Sequence, residues 1–181
     1  MSDAPQQRPW RDHTSHLESP DTVELRSIGV IRSPYKERYG TPRQAGLRGI
    51  NDAAADAPAW VELDKSIVPF DAVADLAGFD RVWLITWLHL NRSTRKARVK
   101  TPRGGPPRSI YATRAPHRFN PVALSCVRVV RVEPGRLYIA ELDLLDGTPV
   151  LDIKPYVAYA DAWPEARSGW VDETGGKPSI G

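Results

Sequence analysis

Four irregular, polar stretches of this chain carry the residue types from which a binding or catalytic site is built. The first is Ser33-Pro34-Tyr35-Lys36-Glu37-Arg38-Tyr39-Gly40-Thr41-Pro42-Arg43-Gln44. The second opens with Gly78-Phe79-Asp80-Arg81, runs into an apolar segment and closes on His89-Leu90-Asn91. The third is Tyr111-Ala112-Thr113-Arg114-Ala115-Pro116-His117-Arg118-Phe119-Asn120-Pro121. The fourth is Asp146-Gly147-Thr148-Pro149-Val150-Leu151-Asp152-Ile153-Lys154-Pro155-Tyr156. In the fourth, Asp146 and Asp152 are carboxylates able to accept a proton, Lys154 can stabilise developing negative charge, and Tyr156 adds a phenol. Such stretches, held between regular elements, are where binding sites concentrate.

Charge points the same way. Nine of the 25 basic residues, and none of the 22 acidic ones, lie between Arg92 and Arg118. A positive stripe of this kind suits an anionic partner, nucleic acid first, with Arg95, Lys96, Lys100, Arg103, Arg118 and Asn120 as its contact candidates. A solvated basic loop explains the stripe about as well. Other residues have plainer readings. His89 follows an apolar strand and reads equally as a satisfied buried histidine. Asp146-Gly147 is a common turn dipeptide. Trp83 and Trp87, four apart in a strand, point to one face and read as core. No set of His, Cys and carboxylates has metal-ligand spacing, so no metal is expected.

The elements that must position these groups are mostly strands. They are expected at 23–31, 60–63, 82–88, 124–132, 137–144 and 150–153, with a turn at Glu133-Pro134-Gly135-Arg136. The run Val82–Leu88 is nearly all apolar, which predicts a strand covered on both faces. Residues 71–77 read as a short helix, capped by Asp71 and ended by Gly78. No Gly-rich turn joins a strand to a helix, so a Rossmann dinucleotide fold is not expected. The fold class is mainly β, a single compact barrel domain over 23–164 with short helices. Polar segments 1–22 and 165–181 read as disordered tails, with Trp163 or Trp170 as candidates to pin the second. One cysteine, Cys126, excludes an internal disulfide and reads as a small buried hydrophobe in a reducing, cytoplasmic protein. The apolar stretch Val82–Leu90 is too short to span a bilayer.

Taken together and in this order, the four stretches resemble the TsaA-like (TrmO, YaeB) family of tRNA methyltransferases. The likeness covers about residues 25 to 161. It rests on SPYK with PRQ, on a GF…HLN segment, on ATR-Ala-Pro…Arg-Phe-Asn-Pro, and on DGTP…DIKPY. It implies a small barrel that binds S-adenosylmethionine, a homodimer with the pocket near the subunit interface, and N6-methylation of threonylcarbamoyl-adenosine beside the anticodon of tRNA. It also implies a cofactor site at Pro42, Arg43, Gln44, His89, Leu90, Arg114, Leu124 and Asp143. Two places depart from the family pattern. Lys100-Thr101-Pro102-Arg103-Gly104-Gly105-Pro106-Pro107 replaces Arg-Pro-Pro-Arg-Leu-Gly-Gly, and Phe119 stands where the family has proline.

The implied chemistry suits these residue types. Transfer from a sulfonium is an in-line displacement, for which orientation supplies much of the rate. Arg43 or Arg114 would take the donor's carboxylate, Asp143 its amino group, and Gln44 and His89 its neutral edges. The acylated acceptor nitrogen must lose a proton, for which Asp146 or Asp152 is available, with Lys154 stabilising charge. Two other readings remain open: methylation of a different acceptor, and an RNA-binding module without catalysis.

Overall fold

The computed structural model of the chain describes residues 19–37, 41–42, 45, 57–91 and 96–174. Six strands close into an antiparallel barrel in the order β1–β2–β7–β6–β3–β8. They are β1 (Gly29–Arg32), β2 (Ala59–Leu63), β3 (Arg81–Trp87), β6 (Val122–Glu133), β7 (Arg136–Ala140) and β8 (Pro149–Pro155). The short strands β4 (Arg98–Val99) and β5 (Arg108–Ser109) pair apart from the barrel. Side-chain alternation explains closure. Along β2 the pattern Ala59, Val61, Leu63 turns inward, and along β3 so do Val82, Leu84 and Thr86. With Ile31, Val127, Leu137 and Val150 these fill the interior without a remaining sheet edge.

The strand registers settle which loops meet. Arg32 faces Trp60, Ala59 faces Ile139, Trp87 faces Val122, Thr86 faces Val150, and Val30 faces Pro149. The connections 33–58, 88–121 and 141–148 therefore all leave from one end of the barrel. The opposite end holds 64–80, the Pro134-Gly135 turn and the exit after Pro155. Gly135 takes φ 80°, the left-handed value that a turn with proline ahead of it requires.

Several sequence expectations are corrected. The first strand begins at Gly29: Ile28 still bonds to Val150 and Asp64, but residues 22–27 belong to no ladder, and Val23 and Leu25 face solvent. The expected helix at 71–77 is two 3-10 turns, Phe70–Ala72 and Ala74–Gly78. Asp71 lies inside the first turn, and Pro69, without a side-chain cap, precedes it. The β3 strand is not covered on both faces: a closed barrel has one interior, so Trp83 and Trp87 lie outside. Trp87 is exposed, while Trp83 is half-buried, its Nε1–H donating to Asp161 Oδ2 (3.1 Å). Cys126 faces Trp83 across the ladder and is half-exposed rather than buried. The predicted strand 137–144 stops at Ala140, since Glu141 adopts φ 61°.

The C-terminal segment crosses back over the outer wall to the loop-bearing end. Asp161 Oδ2 also accepts the Val157 N–H (2.8 Å), fixing the turn Ala158–Asp161. Farther on, Trp170 Nε1–H donates to the Ala112 carbonyl (2.7 Å), and Glu173 lies 3.4 Å from Arg108. Trp170, not the exposed Trp163, makes the attachment. No helix among the described residues is long and apolar enough to cross a membrane.

Candidate active site

Apart from Leu124 on β6, the residues expected to hold a cofactor belong to the three connections at one end of the barrel. Asp143 lies between Leu142 and Leu144, both buried against the core. The left-handed turn at Glu141 redirects the chain here. Glu141 is held by Arg81 (2.5 Å) and Arg128 (3.4 Å) at a φ that costs a residue other than glycine about 1–2 kcal/mol. Asp143 Oδ1 accepts the hydroxyl of Ser125 (2.6 Å), a buried side chain that turns inward from β6 next to the outward-facing Leu124. Burial raises the Asp143 carboxyl above its ordinary pKa. The Ser125 hydroxyl, the N–H groups of Ala45 and Asp143 itself, and the Arg114 charge act against that rise. One half-buried carboxylate thus ties together the segment after Pro42, the third stretch and β6.

Pro42 is buried and Ala45 packs against the core, so the backbone flanking Arg43 and Gln44 is anchored on both sides. Arg43 and Gln44 themselves lie outside the described residues, as does Arg95. His89 and Leu90 sit in the turn that ends β3, which is tied to the start of β6 by the Leu88 N–H to Pro121 carbonyl bond (2.8 Å). His89 is exposed, so the buried-histidine reading does not hold. Leu90, Leu124 and Trp87 leave 64%, 55% and 36% of their surface exposed, on the turn after β3 and on the outer faces of β3 and β6.

The four catalytic candidates are spread by the fold. Asp146 lies on the same loop as Asp143. Its Oδ1 accepts the Ser33 N–H (3.0 Å), and its Oδ2 meets Lys36 Nζ (2.6 Å). Partial burial pushes its carboxyl up, but Lys36, the Ser33 N–H and Arg32 outweigh that and hold it below the ordinary range. Asp152 and Lys154 point out from β8 and pair with each other (2.7 Å). Tyr156 packs on Trp83 at the opposite end of the barrel, about 20 Å along the strand from Pro149.

The basic stripe forms the second loop and the β4–β5 hairpin. Lys96, Lys100 and Asn120 are exposed, and Arg103 is half-buried. Arg118 serves the loop itself: its Nη1 donates to the carbonyls of Thr113 (2.8 Å) and Ile110 (3.4 Å). No metal-binding group of three or more His, Cys, Asp or Glu occurs among the described residues. Sequence reasoning missed Ser125, Ala45 and Glu141. A hydroxyl at an inward register position of an apolar strand was the one signal available for Ser125.

Residues 30–162 match the family model of the tRNA-methyltransferase O N-terminal domain. The chain belongs to this family. It is 36% identical over 157 residues to the tRNA (adenine(37)-N6)-methyltransferase of Escherichia coli K12, covering 83% of this chain and 64% of that one. It is 37% identical to a probable S-adenosyl-L-methionine-binding protein of Pyrococcus abyssi, covering 85% of this chain and 79% of that protein. A crystal structure of TrmO from Pseudomonas aeruginosa shares the fold with a TM-score of 0.65 and 38% identity, over 82% of this chain and 62% of that one. The chain spans 59% and 64% of the length of the Pseudomonas and E. coli relatives it matches. Membership accounts for the barrel and for the order of the four stretches along it.

Proposed function

We propose that this chain binds S-adenosylmethionine and methylates N6 of the adenosine next to the anticodon of tRNA, the acceptor base carrying a threonylcarbamoyl group. The observation that supports this reading is that Ser125, Ala45 and Arg114 all act on Asp143, at the barrel end from which the connections carrying Pro42 and His89 also leave. The donor set fits the cofactor. A carboxylate raised by burial, with a guanidinium acting on it, matches the ammonium and carboxylate of an amino-acid tail. Bound S-adenosylmethionine supplies an electrophilic methyl on a sulfonium. Asp143 would hold the ammonium, Arg114 or Arg43 the carboxylate, and Gln44 and His89 the ribose and adenine edges. Pro42, Leu90 and Leu124 offer apolar walls.

Asp146 is the one catalytic candidate on these loops, and we assign it the proton of the acceptor nitrogen. Asp152 and Lys154, on the outer wall, would reach the acceptor from a second copy whose loops lie against β8. Such a homodimer would cover the exposed apolar side chains of Trp87, Leu90 and Leu124. The basic stripe, with Lys96, Lys100, Arg103 and Asn120, would track the phosphates of tRNA, and the work would be done in the cytoplasm. A different acceptor is the second reading, favoured by the departures from the family pattern at residues 100–107 and at Phe119.

Calorimetric titration with S-adenosylmethionine tests the cofactor site. Asp143→Asn is expected to weaken binding about 10-fold or more, the scale of a lost charged hydrogen bond. Equal affinity in both proteins would remove Asp143 from the site. Mass spectrometry of tRNA nucleosides, from cells with and without the gene, tests the acceptor. Loss of the methylated threonylcarbamoyl-adenosine is expected, and an unaltered profile would point to another acceptor. Asp146→Asn with unchanged turnover would exclude Asp146 as the base.

A further inference from the structure

The third stretch holds an aromatic pair that no role above uses. Tyr111 and Phe119 stack with ring centroids 5.9 Å apart and planes 18° from parallel. Both remain open to solvent, Tyr111 at 71% and Phe119 at 40%. The Arg118 guanidinium lies 5.2 Å from the Tyr111 ring, held there by the carbonyls of Ile110 and Thr113. The pair is therefore fixed by its own loop, not by collapse onto the core. Arg114, which acts electrostatically on Asp143, lies between the two aromatics in the chain.

We infer that Tyr111 and Phe119 form a stacking platform for a nucleobase of the RNA substrate, flanking the base that enters the site. Nearly parallel, exposed rings backed by an arginine suit a flat aromatic ligand. The surroundings select the kind of ligand. Residues 96–121 carry Lys96, Arg98, Lys100, Arg103, Arg108, Arg114 and Arg118 and not one Asp or Glu, so the ligand that brings the base carries negative charge. Single-stranded RNA combines both features. A second copy of this chain is the rival occupant for an exposed aromatic pair. Among the described residues Glu173 meets only Arg108; the excess of positive charge that remains opposes self-association at this spot, because two copies would face each other with like charge. The inference rests on the tRNA reading and narrows it: the loop base beside the target is gripped by stacking, whereas Lys100 and its neighbours grip phosphates.

The test uses the full chain and a synthetic anticodon stem-loop RNA with 2-aminopurine in place of a base flanking the target adenosine. Tyr111→Ala and Phe119→Ala are expected to bind this RNA roughly 5- to 100-fold more weakly. Tyr111→Trp should restore affinity, and 2-aminopurine quenching on binding should vanish in the alanine variants alone. The slope of affinity against salt should stay unchanged in these variants, since no phosphate contact is lost, whereas Lys100→Ala should flatten it. Affinity for S-adenosylmethionine should be unaltered throughout. Alanine variants that bind and quench like the parent overturn the platform and leave the tRNA reading standing. A parent chain that binds no stem-loop overturns both. A fall in molecular mass by light scattering, together with lost binding, assigns the pair to a second copy and also overturns the platform.

Discussion

Asp143 shows how one residue can be costly to the fold and useful to the site. Its carboxyl is raised by burial, so the folded protein holds the proton more tightly than the unfolded chain does. The sign follows from that. Its contribution to stability is fully present below the ordinary carboxylate pKa and is lost as pH rises through the raised value. Replacing it with Asn keeps an acceptor for Ser125 and removes the charge. Asp143→Asn should therefore be at least as heat-stable as the parent at pH 7, with the difference shrinking toward pH 4; thermal melts across that range check it. A variant less stable at pH 7 than at pH 4, relative to the parent, would contradict the sign. The same logic applies to a bound cation: cofactor affinity should fall in acid as Asp143 protonates.

At the scale of elements, the barrel depends on close approach at its seams. An added Cβ at Gly29 would lie 2.5 Å from the Glu62 carbonyl and 3.1 Å from the Leu63 Cα, both backbone atoms that cannot rotate away. Gly29→Ala should thus push β1 from β2 and cost about 1–3 kcal/mol, measurable by urea denaturation. A cost below a few tenths of a kcal/mol would mean that this seam yields easily. The bulge between Ile85 and Thr86, opposite Asp152 and Val150, is another such device. It inserts Leu151 into β8, so that Asp152 and Lys154 point outward while Ile153 still turns to the core. Periodicity along 150–156 could not indicate this, because the shift of register belongs to the pairing with β3.

Across the whole molecule, the C-terminal segment links the two ends of the barrel. It leaves β8 at the end opposite the loops, packs on the outer wall through Asp161, and reaches the basic loop through Trp170. Arg108 lies 5.2 Å from the Trp170 ring and 3.4 Å from Glu173, so the base of the β4–β5 hairpin is clasped from the side. Trp170→Phe keeps an aromatic ring, though a smaller one, and loses the N–H donated to Ala112, a hydrogen bond of about 0.5–1.5 kcal/mol. Amide exchange should then quicken across 98–118, while the amides of β2, β3 and β6 keep their protection. Uniform exchange over both regions would mean that the hairpin is fastened elsewhere.

What the sequence determined by itself was local or cumulative. Alternation in 60–63 and 137–140, the Pro134-Gly135 turn, and the lack of a Gly-rich strand–helix turn were enough for a β fold that is not Rossmann-like. Four motifs in order were enough for the family and, through that resemblance, for S-adenosylmethionine as the cofactor. Only the tertiary structure decided which of these residues meet. Ring closure has no counterpart in a linear pattern: it turned Trp83 and Trp87 outward and split the second stretch between opposite ends. It sent Tyr156 away from Asp146 and brought Ser125, Ala45 and Arg114 to bear on one carboxylate. These outcomes follow from strand register, which is set by packing among segments mostly tens of residues apart in the chain, and no local spacing encodes such contacts.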